Sequence, residues 1–158
     1  MAELRPGEIT LPFDPGAHPD DGVRFIGRIR SGWAKGDCPR NVRQARERGE
    51  AARVELDPAY QQGLQGLKAG DHIILIYWMD RGRRDLILQT PKHRGDPIGT
   101  FAIRSPMRPN PVALSTVRIT AIEGPVIHID ATDVFDNTPV IDIKPWLPSV
   151  DIPPQGTA

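Results

Sequence analysis

Apolar residues fall along this chain in short runs broken by proline, glycine and charge, and most runs carry the spacing of strands rather than helices. Six runs rich in β-branched and aromatic residues are predicted as strands: Val23–Arg30, His72–Met79, Asp85–Gln89, Ile98–Ile103, Pro111–Ile122 and Val126–Asp130. Val140–Ile143 adds a short seventh. Leu114, Val117, Ile119 and Ala121 partly alternate with polar residues, as in a half-buried strand, whereas Ile73–Trp78 is continuously apolar, as in a strand covered on both faces. Helix formers and charges over Asn41–Val54 predict one helix, interrupted by Gly49, and Tyr60–Leu67 predicts a short helical turn. Many short strands joined by Pro/Gly turns predict a mainly β, small single-domain β-barrel with minor helices.

Composition sharpens this picture. A chain of 158 residues is of single-domain length and can bury a core without covalent staples. It contains no apolar run long enough for a membrane helix, and its first residues lack the basic flank and apolar core of a secretory signal. Cys38 is the only cysteine, which fits a reducing, cytoplasmic setting. The formal net charge is zero, but the charges are unevenly spread. Residues 24–54 hold nine Arg/Lys against three Asp/Glu, and residues 81–108 seven against two. The two ends are acidic: one against five over residues 1–23, and one against six over residues 119–158. Such segregation can build a basic face for a polyanion, or can simply decorate solvated loops.

Several chemistries lack their motifs. No GxGxxG opens a helix after a strand, no phosphate loop and no GxSxG elbow are present, so a Rossmann fold is not expected. The histidines His18, His72, His93 and His128 lie at no metal-ligand spacing, and one cysteine does not make a structural zinc site. Asp130, Asp133, Asp136 and Asp142 are close in sequence but not in the order of a calcium loop, and no metal is expected.

What remains is concentrated in two segments. In IGTFAIRSPMRPNPVALS (98–115) a strand carrying Phe101 and Ile103 delivers Arg104 into a loop with prolines at 106, 109 and 111. Each proline fixes its own φ and restrains the preceding residue, so Arg104, Arg108 and Asn110 sit on a stiff frame suited to an anionic or nucleotide ligand. The same frame could equally be a rigid corner with solvated arginines. In IHIDATDVFDNTPVIDIKPWL (127–147), Asp136–Pro139 is a turn former, and alternation places Asp142 and Lys144 on one face, either as functional groups or as a surface ion pair. Two weaker signals are the Asp37–Asn41 loop and Tyr77–Asp80, where an aromatic, a thioether and a carboxylate at a strand end would suit an adenosyl group or a sulfonium, or belong to the core.

Taken together, IGRIRS (26–31), the Pro39-Arg40 loop, GLKAGDHIILIYWMD (66–80), GTFAIRSPMRPNPVALS (99–115) and DVFDNTPVIDIKPW (133–146) resemble the TrmO, or TsaA-like, family over roughly residues 23–150. The resemblance implies a β-barrel methyltransferase that uses S-adenosyl-L-methionine, forms a homodimer and methylates N6 of threonylcarbamoyl-adenosine at position 37 of tRNA. It implies cofactor contacts at Pro39, Arg40, Asn41, Trp78, Met79, Asp80, Arg104, Leu114, Ala131, Thr132 and Asp133. Asp133 and Asp142 then become candidate bases, with Lys144, Arg108 and Asn110 orienting the substrate. A non-catalytic barrel binding adenosyl compounds or RNA, or a methyltransferase acting on another small substrate, is the competing reading. Asn137 replaces the glycine of the family's DGTP turn, and Val112-Ala113 replaces its Ile-Gly. Residues 1–22 are expected as an extension and 151–158 as a tail, in a short form without the additional C-terminal domain of longer members.

Overall fold

The computed structural model describes residues 3–17 and 21–155, so His18 and the last three residues of the tail lie outside the described residues. The chain divides into two compact units, residues 25–77 with 114–158 and residues 1–24 with 78–113.

The first unit is built on a closed barrel of strands in the order β2 (Gly27–Arg30), β3 (Ala52–Leu56), β8 (Val126–Ile129), β7 (Val112–Glu123), β4 (His72–Trp78) and β9 (Thr138–Pro145). The β2–β3, β2–β9, β3–β8, β7–β8 and β4–β9 ladders are antiparallel. Alternate residues of each strand fill the interior: Ile29, Val54, Ile127, Ile129, Val117, Ile119, Ile73, Leu75 and Val140 are all at most 1% exposed. The expectation that β4 is covered on both faces is corrected: Ile73, Leu75 and Tyr77 are buried, but Ile74, Ile76 and Trp78 are only half-buried on the outer face. In β7 the buried face is Ser115, Val117 and Ile119, and Leu114 lies outside it.

The predicted helix over Asn41–Val54 is corrected: α1 covers only Val42–Arg48. Asn41 opens it by accepting the Gln44 amide at 2.9 Å, while the Gln44 side chain accepts the Arg40 amide at 2.8 Å, a reciprocal cap. Gly49 ends it with φ of 70°, a left-handed cap that glycine adopts without strain. Released from the helix, ARVEL becomes β3, with Ala52, Val54 and Leu56 inward and Arg53 and Glu55 outward. Helix propensity over 41–54 masked this alternation. The helical turn expected over Tyr60–Leu67 is a 3-10 helix at Pro58–Leu64, capped by Asp57.

Gly27 is where β2 lies closest to β3. A Cβ there would stand 2.4 Å from the Glu55 carbonyl oxygen and 2.8 Å from the Leu56 Cα, both backbone atoms that cannot swing away. Gly27→Ala should therefore cost at least about 1–3 kcal/mol by overpacking. A urea midpoint unchanged from the parent would contradict it.

The second unit carries a three-stranded sheet ordered β1 (Ile9–Thr10), β5 (Leu86–Gln89) and β6 (Ile98–Gly99). The segment expected as an N-terminal extension thus supplies an edge strand paired with Leu86 and Leu88. The strand expected over Ile98–Ile103 stops at Gly99, and Thr100–Ala102 forms one 3-10 turn. The cause is Thr100, which is buried; its hydroxyl donates to the Leu86 carbonyl at 2.9 Å and accepts from Gln89 at 2.8 Å. Phe101 is thereby turned outward and is 77% exposed. The tail begins with a four-residue helix, α2 (Pro148–Asp151), which buries none of its residues.

Candidate functional site

One rim of the barrel is where β2 and β8 end and β3 and β9 begin, since Ile29 pairs with Thr138 and Ala52 with Ile129. Two connections cross this rim: residues 31–41 leading to α1, and residues 130–137. Three consecutive carbonyls of the second are held by side chains of the first. The Trp33 indole donates to Thr132 at 2.7 Å, the Cys38 thiol to Asp133 at 2.9 Å and the Ser31 hydroxyl to Val134 at 2.8 Å. Arg46 of α1 adds an ion pair with Asp130 at 2.7 Å and a bond to the Thr116 carbonyl at 2.8 Å. Asn137 takes φ of 70°, the left-handed geometry expected of the residue standing in for glycine, and its amide donates to the Ile29 carbonyl at 2.9 Å.

With the backbone of 131–134 fixed, Ala131 and Thr132 are buried and the Asp133 carboxyl is left over. Its Oδ1 is buried and has no hydrogen-bond partner among the described residues. Burial pushes its carboxyl above the ordinary range, offset in part by a backbone hydrogen bond and by the charge of Arg46. Burial and the neighbouring Asp133 also push the Cys38 thiol up to about 11, so this cysteine serves as a neutral donor, not a nucleophile. A buried acceptor with no partner costs stability unless a ligand supplies a donor.

The other sequence-predicted residues of this unit distribute unevenly. Pro39, Arg40 and Asn41 lie in the rim connection; Pro39 is buried, and the Asn41 side chain is engaged in capping α1. Leu114 is 49% exposed, beside the buried Ser115, which shares a 2.8 Å hydrogen bond with Tyr77. Asp142 and Lys144 pair with Ile76 and Ile74 across β4 and so face the outer wall, as the alternation predicts. They form a 2.8 Å ion pair with both side chains about half exposed, and Asp142 also accepts the Ile143 amide. Asp142 borders a groove of about 570 Å³ lined by Ile26, Leu56, Tyr60 and Pro145, at the strand ends opposite the Asp133 rim. The barrel does not bring Asp142 and Lys144 to Asp133.

Five of the nine cations in the basic stretch 24–54 form ion pairs. Glu55 accepts from both Arg30 and Arg53 at 2.8 Å, which holds its carboxyl below the ordinary range, and Arg48 stacks 5.3 Å from the Trp33 ring.

In the other unit the proline-rich loop is stapled from within. Arg108 donates to the carbonyls of Thr100, Ile103 and Ser105 at 3.2–3.3 Å, so its guanidinium holds the loop closed. Gln89, buried, donates to the Met107 carbonyl at 2.6 Å. Met79 is half-buried and its amide donates to the Pro111 carbonyl at 2.8 Å, while Asp80, Arg104 and Asn110 are exposed. Arg84 lies 5.4 Å from the Trp78 ring centre. The sequence reading missed Arg46, Trp33, Ser31 and Arg84, whose partners lie 25 to 103 positions away. Among the described residues no group of three or more His, Cys, Asp or Glu could hold a metal ion, and no helix is long and apolar enough to cross a membrane.

Comparison with known proteins places this geometry. Residues 28–152 match the family described as the tRNA-methyltransferase O N-terminal domain. A "probable S-adenosyl-L-methionine-binding protein" of Archaeoglobus fulgidus is 36% identical over 129 residues, which cover 82% of this chain and 35% of that protein. The probable S-adenosyl-L-methionine-binding protein VirR of Rhizobium radiobacter is 33% identical over 90% of this chain and 79% of its own length. A crystal structure of TrmO from Pseudomonas aeruginosa superposes with a TM-score of 0.67 at 27% identity, covering 86% of this chain and 60% of that one. The chain thus spans about a third of the Archaeoglobus relative and 60% of the TrmO structure.

Proposed function

The chain belongs to the tRNA-methyltransferase O N-terminal domain family, and from that membership we propose that it is an S-adenosylmethionine-dependent methyltransferase. We propose further that its acceptor is N6 of threonylcarbamoyl-adenosine at position 37 of tRNA, and that it acts as a cytoplasmic homodimer. The observation that carries the reading is the Asp133 carboxyl, buried on a clamped backbone with Oδ1 unpartnered. Such an acceptor fits a ligand rich in N–H and O–H donors, as the ribose and amino groups of S-adenosylmethionine are.

The residues of the barrel unit proposed to hold the cofactor are Pro39, Arg40, Asn41, Leu114, Ala131, Thr132 and Asp133. When bound, the cofactor supplies an activated methyl group on a sulfonium. The task left to the chain is mainly orientation, which can supply roughly 7–11 kcal/mol. Rigid positioning is what the three clamped carbonyls at 132–134 provide. Of the two candidate bases, Asp133 has a buried oxygen without a hydrogen-bond partner, whereas the Asp142 carboxylate is engaged by Lys144 and the Ile143 amide. Lys144 is itself committed to Asp142 at 2.8 Å. That engagement of Asp142 favours a second reading, a barrel that binds adenosyl compounds without transferring the methyl.

Calorimetric titration of S-adenosylmethionine separates these readings when combined with a transfer assay. Saturable binding is expected, weakened in Asp133→Asn and unchanged in Lys92→Ala; no binding at millimolar ligand would sink both readings. Labelled methyl should then appear on tRNA from a strain lacking the modification. Binding without transfer would leave only the non-catalytic reading.

A further inference from the structure

The outer wall of the barrel has two characters. Across β2, β3 and β8 the outward positions hold Arg28, Arg30, Arg53, Glu55 and His128, as suits a face in water. Across β7, β4 and β9 they fall in two rows that are apolar at their centre. β4 pairs Ile76 with Asp142 and Ile74 with Lys144. On its other side, hydrogen bonds join Ile119 of β7 to Gly70 and Asp71. Counting along both strands from there sets Leu114 opposite Ile76 and Thr116 opposite Ile74. The rows are therefore Leu114–Ile76–Asp142 and Thr116–Ile74–Lys144. Leu114 is 49% exposed, and Ile76 and Ile74 are half-buried. Exposed apolar surface continues past the end of β9, where Leu147, Val150 and Ile152 are 46–73% exposed.

Two such rows, with opposite charges at one end, are self-complementary. Consider a second copy laid face to face, related by a two-fold axis that crosses the strands midway between the rows. Each row then sits on the other row of the partner. Asp142 meets the partner's Lys144, Ile76 the partner's Ile74 and Leu114 the partner's Thr116. The ion pair within one chain, at 2.8 Å, becomes part of a ring of four alternating charges. An axis parallel to the strands would instead set Asp142 on the partner's Leu114 and bury a charge against an aliphatic side chain. Charge thus selects one arrangement. We infer that the outer face of β7, β4 and β9 is the interface between two copies of this chain, registered by reciprocal Asp142–Lys144 ion pairs. The inference rests on the homodimer proposed above and deepens it by naming the surface that forms it. Leu114 belongs to the row nearer the Asp133 rim, so the interface borders the proposed cofactor contacts.

Sedimentation equilibrium of the full chain tests it. The parent should be a dimer. Asp142→Lys gives each copy two cations at these positions, and Lys144→Asp gives each copy two anions. Like charges across the axis should raise the dimer dissociation constant at least about tenfold in both variants. An equimolar mixture of the two should form a heterodimer, because each cation again meets an anion, and its formation also shows that both variants fold. The double variant, Asp142→Lys with Lys144→Asp, exchanges the charges and should dimerise on its own. Single variants that dimerise as tightly as the parent, or a mixture that stays monomeric, would overturn the inference. A monomeric parent would overturn it together with the proposed homodimer. The methyltransferase reading would then still stand or fall on cofactor binding and transfer.

Discussion

Asp133→Asn should weaken S-adenosylmethionine binding by roughly 10–100-fold, the size of a lost hydrogen bond to a charged acceptor, without destabilising the barrel at neutral pH. The two halves of this result have one cause. Burial is the largest influence on the Asp133 carboxyl and holds it above its ordinary range, while the partly compensating backbone bond and Arg46 do not cancel it. A carboxyl raised in the folded state binds more protons there than in the unfolded chain across the interval between the two pKa values. Stability therefore falls as pH rises through that interval, and the ionised group is a net cost above it. The asparagine variant has no such proton to lose. Its melting temperature should equal or exceed that of the parent at pH 7, and the difference should shrink towards about pH 4, near the ordinary carboxyl value. A variant that melts lower at pH 7, or binds the cofactor as tightly as the parent, would remove Asp133 from the site. A residue that costs stability and is kept in place by three clamps on its backbone is what a pre-formed ligand contact looks like.

Leu75→Ala should be the most damaging single substitution in the barrel, costing about 2–5 kcal/mol. Leu75 is fully buried on β4, opposite Ile143 and flanked on the same face by Ile73 and Tyr77, both nearly inaccessible. A closed barrel has no loose edge along which strands can shift to refill a void, so the loss of three carbons leaves much of the cavity open. Set against a typical total of about 5–15 kcal/mol, this is a large share of the fold's stability. Leu75→Met, which conserves volume, should cost less than about 1.5 kcal/mol. Chemical denaturation with both variants checks the pair. Equal midpoints would mean that the interior at Leu75 repacks freely and that closure does not constrain it. By contrast, breaking the Asp142–Lys144 pair should cost under about 1 kcal/mol, because both side chains are well exposed.

What the sequence determined by itself is what depends on neighbours a few positions apart. Runs of branched and aromatic residues mark β4, β7 and β8 to within a few residues, because such side chains suit the pleated, packed surface of a strand. Asn41 and Gly49 start and stop a helix by bonding to backbone groups within four positions, and Asn137 turns the chain because its short polar side chain tolerates positive φ. The motifs at 99–115 and 133–146 were enough to identify the family. Where two local signals competed, as in 52–56, the helix formers obscured a strand that exists because β2 and β8 flank it.

Only the tertiary structure decided which of the candidate groups have partners within the fold. Asp133 and Asp142 look equivalent along the chain, yet one has a buried, unpartnered oxygen on a clamped rim and the other is an exposed half of an ion pair towards the opposite end of the barrel. Arg108 and Arg84 lie in the same arginine-rich stretch, but Arg108 donates to three carbonyls of its own loop while Arg84 donates to the Pro109 carbonyl and Asn110 Oδ1. In the basic segment 24–54, Arg30, Arg53 and Arg46 are taken up by Glu55 and Asp130, partners that charge counting along the chain does not show. The partners of Ser31, Trp33 and Cys38 lie 95 to 103 positions away. Hydrogen-bond and ion-pair partners are set by which strands close the barrel, and that closure is a property of the whole chain that no local spacing encodes.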